Sequence, residues 1–144
     1  MREQVPQEEY TYVRMRRNVR KTVSLNFKHY ELRVKALVSV NSRGEQFEAI
    51  LPLIKISTLK RWFIRDEILY ELRKINGIVN ADLEIEVFAV YGTERYLGEY
   101  KRYLGELFFV MHNINEYDKT EYRYQNSKAY FQQPDKSEFI PERL

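Results

Sequence analysis

The stretch 30–41, YELRVKALVSVN, alternates without interruption. Tyr30, Leu32, Val34, Ala36, Val38 and Val40 fall on one side, and Glu31, Arg33, Lys35, Leu37, Ser39 and Asn41 on the other. A period of two held this long specifies a strand with one buried face, and such a strand needs a sheet around it. The preceding run 22–28 also alternates, with Val23, Leu25 and Phe27 opposite Thr22, Ser24, Asn26 and Lys28. Phe27 and Tyr30 are out of phase, so a bulge or tight bend is predicted near Lys28 and His29.

The neighbouring segments follow as a sheet requires. NSRGE (41–45) reads as a turn, with Gly44 able to take a positive φ. QFEAILPLI (46–54) returns as a strand with Phe47, Ala49, Leu51 and Leu53 on one face. Pro52 has no N–H to donate, which places that end at an edge or a bulge. DLEIEVFAVYG (82–92) alternates Leu83, Ile85, Val87, Ala89 and Tyr91 against Glu84, Glu86, Phe88 and Val90. Its far end is apolar on both faces and predicts a central strand.

One helix is expected over 57–76, with Ser57 as N-cap and Gly77 just past the C-terminus. Leu59, Trp62, Phe63, Ile68, Leu69, Leu72 and Ile75 form its apolar stripe, while Lys60, Arg61, Arg65, Asp66, Glu67, Glu71, Arg73 and Lys74 face away. The expected core joins Trp62, Phe63, Leu69 and Leu72 to Val34, Val38, Phe47, Leu51, Ile85 and Val87.

RYLGE occurs twice, at 95–99 and 102–106. As a helix, the seven-residue repeat would stack Leu97 on Leu104 in a heptad seam. Gly98 and Gly105 would then each cost about 0.8–1 kcal/mol in the helix interior. The strand reading avoids that cost and suits the Tyr, Phe and Val content, with YGTER (91–95) as a turn. The repeat is then a coincidence of composition. After His112 the chain turns polar; Tyr122 and Tyr124 open a last edge strand, and residues 132–144 read as a docking or mobile tail. The order β-β-β-α-β-β-β predicts a single α+β domain over 1–144, an antiparallel sheet with the 57–76 helix packed across it.

A chain of 144 residues with 31% charged residues and no cysteine supports one core and excludes disulfides and cysteine-ligated metals. No apolar run reaches the roughly 18–20 residues of a spanning helix, and the first residues lack a signal-peptide core. The expectation is a cytoplasmic protein. Catalytic signatures are missing: the five glycines form no phosphate loop, and His29 and His112 have no ligand spacing. Asp82 with Glu99 and Lys101 resembles the layout of metal-dependent nucleases. Because E-x-K is a common triplet and flanking helices are missing, the chain is read as non-catalytic, with no cofactor and no metal.

Charge points elsewhere. Residues 1–74 hold 16 Lys/Arg against 9 Asp/Glu, a net of +7, and residues 75–144 hold 8 against 12, a net of −4. A basic half invites a polyanion. The nucleic-acid set is Arg14, Arg16, Arg17, Arg20, Lys21, Lys28, Arg33 and Lys35 for phosphates, with Tyr10, Tyr12 and Tyr30 as stacking faces. Single-stranded DNA or RNA is favoured over duplex. The competing reading is a protein-interaction module (an inhibitor, adaptor or virion-type assembly protein) that uses this basic surface on an acidic partner, or the Tyr-rich region around Tyr117, Tyr122, Tyr124 and Tyr130. Sheet edges and the two-sided charge favour a homodimer.

Overall fold

The computed structural model describes residues 8–14, 19–41, 44–125 and 135–142. The alternation of 22–40 becomes one long strand, β2 (Val19–Val40), with β1 (Glu8–Arg14) and β3 (Glu45–Ile50) folded back on it. Residues 51–53 carry Pro52 through a gap, and β4 (Ile54–Ile56) resumes the ladder against Tyr30–Leu32. The helix α1 (Arg61–Leu72) follows, then β5 (Ile78–Thr93), β6 (Gly98–His112), β7 (Glu121–Gln125) and β8 (Glu138–Pro141).

All pairs are antiparallel and form one eight-stranded sheet, curled into a half-barrel. The three long strands lie side by side as β2-β5-β6. The outer edge of β2 carries β1, β4 and β3, and that of β6 carries β8 and β7. β5 is therefore central, as its two-sided apolar end predicts.

The phase slip of β2 is a β-bulge: Phe27 pairs with Tyr91, His29 with Val90, and Lys28 is left without a ladder partner. It brings Leu25 and Phe27 onto the face of Tyr30, Leu32 and Val34, so one continuous face is buried despite the slip. A second shift in β6 leaves Leu104 between the pairs Phe88–Tyr103 and Val87–Gly105. The core face combines Leu32, Val34, Ala36 and Val38 of β2 with Leu83, Ile85 and Val87 of β5 and Phe109 and Met111 of β6. Ile64, Ile68, Leu69 and Leu72 of α1 belong to the same buried cluster.

The RYLGE copies have different structures, so the repeat has no architectural meaning. In the first, Glu94–Tyr96 forms a 3-10 turn, with Arg95 and Tyr96 at φ 58° and 55°. The Thr93 hydroxyl closes it, accepting from the Gly98 N–H at 2.9 Å and donating to the Gly98 carbonyl at 3.0 Å. The second copy lies inside β6, where Gly105 takes φ 120° beside the bulge.

Three expectations are corrected. The helix begins at Arg61 rather than after Ser57, because Lys60 occupies the cap position and no side chain caps the end. It ends at Leu72, before Gly77. Trp62 is 51% exposed and stacks beside Phe63, while Ile64, outside the expected stripe, is fully buried. Phe47 is exposed: it pairs opposite Val38 near the end of β2, at the outer edge of the sheet.

Candidate nucleic-acid interface and the charged face of the sheet

The basic segment begins in a two-stranded ribbon. Residues Glu8–Arg14 pair with Val19–Leu25, placing Tyr12 opposite Lys21, Val13 opposite Arg20 and Arg14 opposite Val19. The ladder between β2 and β5 starts at Leu25, so among the described residues the ribbon beyond it has no third strand. Arg16 and Arg17 lie outside the described residues. For Tyr10, Tyr12, Arg14, Arg20 and Lys21 the description is limited to the backbone.

The rest of the expected set sits on the sheet, and there the geometry differs from the expectation. Tyr30 is 4% exposed, its ring 4.9 Å from that of Phe27, so it presents no stacking face. The bulge assigns Tyr30 to the core face, whereas a stacking ring must face solvent. Each of the three cations holds a carboxylate. Lys28 Nζ lies 2.9 Å from Glu99, and Lys35 Nζ lies 3.3 Å from Glu48. Arg33 donates from Nε to Glu31 at 3.0 Å and from Nη2 to Glu138, with its guanidinium 4.2 Å above the centre of the Phe88 ring.

These contacts belong to a charged network on the face opposite the core. Glu31 is 1% exposed and accepts from Lys101 Nζ at 2.8 Å as well as from Arg33. Phe88 and Val90 are buried beside it. Lys136 donates to Glu86 at 2.7 Å and lies 3.8 Å from Glu106. Among the described residues no buried side-chain nitrogen or oxygen lacks a hydrogen-bond partner. Burial pulls the Arg33 pKa down, but the hydrogen bonds to Glu138 and Glu31 outweigh it and leave the group above its ordinary value. His29 is shifted down, by burial first and then by the charge of Lys55.

Glu99 is held below its ordinary value of 4.5, first by the hydrogen bond from Lys28. A depressed carboxylate contributes stability above its unfolded pKa and loses it as pH falls through the folded one. Carbon-detected NMR should therefore show Glu99 titrating below the ordinary carboxylate range, and Lys28→Ala should move it upward. Titration at the ordinary value in the parent chain would disprove the pair.

The nuclease-like set does not assemble. Asp82 pairs with Val110 and Glu99 with Gly92, ten positions farther along β5. At about 3.3 Å per residue they stand roughly 33 Å apart. Lys101 serves Glu31 instead. No cluster of three or more His, Asp or Glu residues is placed to hold a metal among the described residues. No helix among them is long and apolar enough to cross a membrane.

Sequence reasoning missed Glu31, Lys101 and Glu138 as one unit. The only local signal is the i, i+2 pair Glu31 and Arg33 on one strand face; the other partners come from β6 and β8. No protein family, curated protein or solved structure matches this chain.

Proposed function

We propose that the chain binds nucleic acid without catalysis, through the β1–β2 ribbon, and that α1 is packed across the sheet. One contrast supports this reading. Between Tyr10 and Tyr30 the sequence has Arg14, Arg16, Arg17, Arg20, Lys21 and Lys28 and no carboxylate, while Lys28, Arg33 and Lys35 on the sheet are each neutralised by Glu. Cations already held by a carboxylate gain little from a phosphate, since one ion pair replaces another. The phosphate set therefore contracts to Arg14, Arg16, Arg17, Arg20 and Lys21, with Tyr10 and Tyr12 as the remaining rings. Rings interleaved with cations favour single strands, whose unstacked bases offer faces to tyrosine.

Five phosphate contacts on a single strand give a slope of log K against log salt of about −3.5, from about −0.7 per contact. Labelled single-stranded DNA, RNA and duplex are titrated at several salt concentrations, and the Arg16→Ala/Arg17→Ala chain should flatten the slope by about 1.4. No binding at low salt would defeat the proposal and leave the protein-interaction reading. An unchanged slope in the double variant would move the site away from Arg16 and Arg17.

A further inference from the structure

The register of the β1–β2 ribbon sorts its residues onto two faces. Residues directly opposite in an antiparallel pair share a face, and each strand changes face at every residue. The ladder runs from the pair Glu8–Leu25 to the pair Arg14–Val19 without a register shift. Tyr10, Tyr12 and Arg14 therefore fall on one face with their partners Val23, Lys21 and Val19, while Thr11 and Val13 fall on the reverse with Thr22 and Arg20. Both tyrosines of the ribbon thus share a face with two of its cations. That face is closed at its sheet end: Leu25, next in phase after Val23, is 1% exposed. The ribbon offers two ring positions there and no third.

The spacing of the two positions restricts the ligand. At about 3.3 Å per residue, positions 10 and 12 stand roughly 6.6 Å apart along β1. Neighbouring bases in one strand of a duplex are about 3.4 Å apart. Two neighbouring bases therefore meet both positions only when drawn to about twice the stacked distance. A duplex cannot do this without unpairing, and a strand that stacks strongly on itself resists it.

We infer that this face of the ribbon is a two-base platform for an extended, unstacked single strand, and that it prefers pyrimidine runs. The inference rests on the nucleic-acid reading of the ribbon and adds the face used and the conformation of the bound strand. Pyrimidines stack weakly on one another, so drawing them apart costs little, whereas adenines hold the closed spacing. Bases lie on Tyr10 and Tyr12, and Lys21 and Arg14 accompany the phosphates.

Exchanging two neighbours moves a ring to the other face without altering composition or charge. In the full-length Tyr12→Val/Val13→Tyr chain, affinity for oligothymidylate should fall about fivefold or more, the scale of one base–aromatic stack, with the salt slope unchanged. The Tyr10→Phe/Tyr12→Phe chain keeps both rings and should bind as the parent does. Oligothymidylate and oligouridylate are both titrated into the parent, and either one bound several-fold more tightly than the oligoadenylate of the same sugar supports the platform. Full affinity in the exchanged chain, or oligoadenylate bound as tightly as both pyrimidine strands, overturns the platform and leaves the nucleic-acid reading standing, since the salt slope reports phosphate contacts. No binding of any strand at low salt defeats both. If the exchange disturbs the pairing of β1 with β2, photocrosslinking of the parent to a bromouracil-substituted strand decides instead. Adducts at Tyr10 and Tyr12 support the platform, and adducts confined to other tyrosines overturn it.

Discussion

Glu31→Leu should lower the unfolding free energy by about 3–5 kcal/mol, the cost of leaving buried charge without its partner. Among the described residues Glu31 is the one carboxylate paired with both Arg33 and Lys101, and it is 1% exposed. Its removal leaves two cations against the one carboxylate of Glu138. Adding Lys101→Met to the same chain restores the balance, with Arg33 facing Glu138 alone, so the double variant should regain part of the loss. The urea midpoints of the parent, both single variants and the double variant measure this as a coupling energy. A single-variant cost below about 1 kcal/mol would show that Glu31 carries no buried charge.

Ile68→Ala should cost about 2–5 kcal/mol, while Trp62→Ala should cost about 1 kcal/mol or less. Ile68 is fully buried in the cluster that joins α1 to the strands, and a truncated side chain there leaves a cavity. Trp62 is half exposed, and its principal described contact is the ring of Phe63 at 4.4 Å. The two residues share a helix face in a sequence reading, yet thermal unfolding should separate them by several degrees. A larger loss at Trp62 than at Ile68 would mean that the helix is rotated from the orientation described.

Much of the sheet was legible because strand periodicity is local information. Alternation over 22–41 gives β2 and even its bulge, since the slip between Phe27 and Tyr30 is a change of phase that two neighbouring runs reveal. The apolar far end of 82–92 identifies β5 as central for the same reason. The glycine cost and the charged residues in the heptad seam favour strand over helix for 95–107, which holds from Gly98 onward, while Glu94–Tyr96 is a 3-10 turn. The helix is legible in the sequence, but its ends and facing are not, because Trp62 and Ile64 are both apolar and only tertiary packing decides which one is covered.

The charged sites divide along the same line. Composition and spacing alone mark the basic segment 14–21, and the pairing of Glu8–Arg14 with Val19–Leu25 adds geometry to a charge already visible. The fate of Lys28, Arg33 and Lys35 could not be read from their neighbours. Lys28 meets Glu99 across 71 residues, Arg33 meets Glu138 across 105, and Lys101 meets Glu31 across 70. A side chain's period reports which face of its own strand it occupies. Which opposite charge arrives there depends on the register of β2, β5, β6 and β8, and that register is set by packing of the whole sheet.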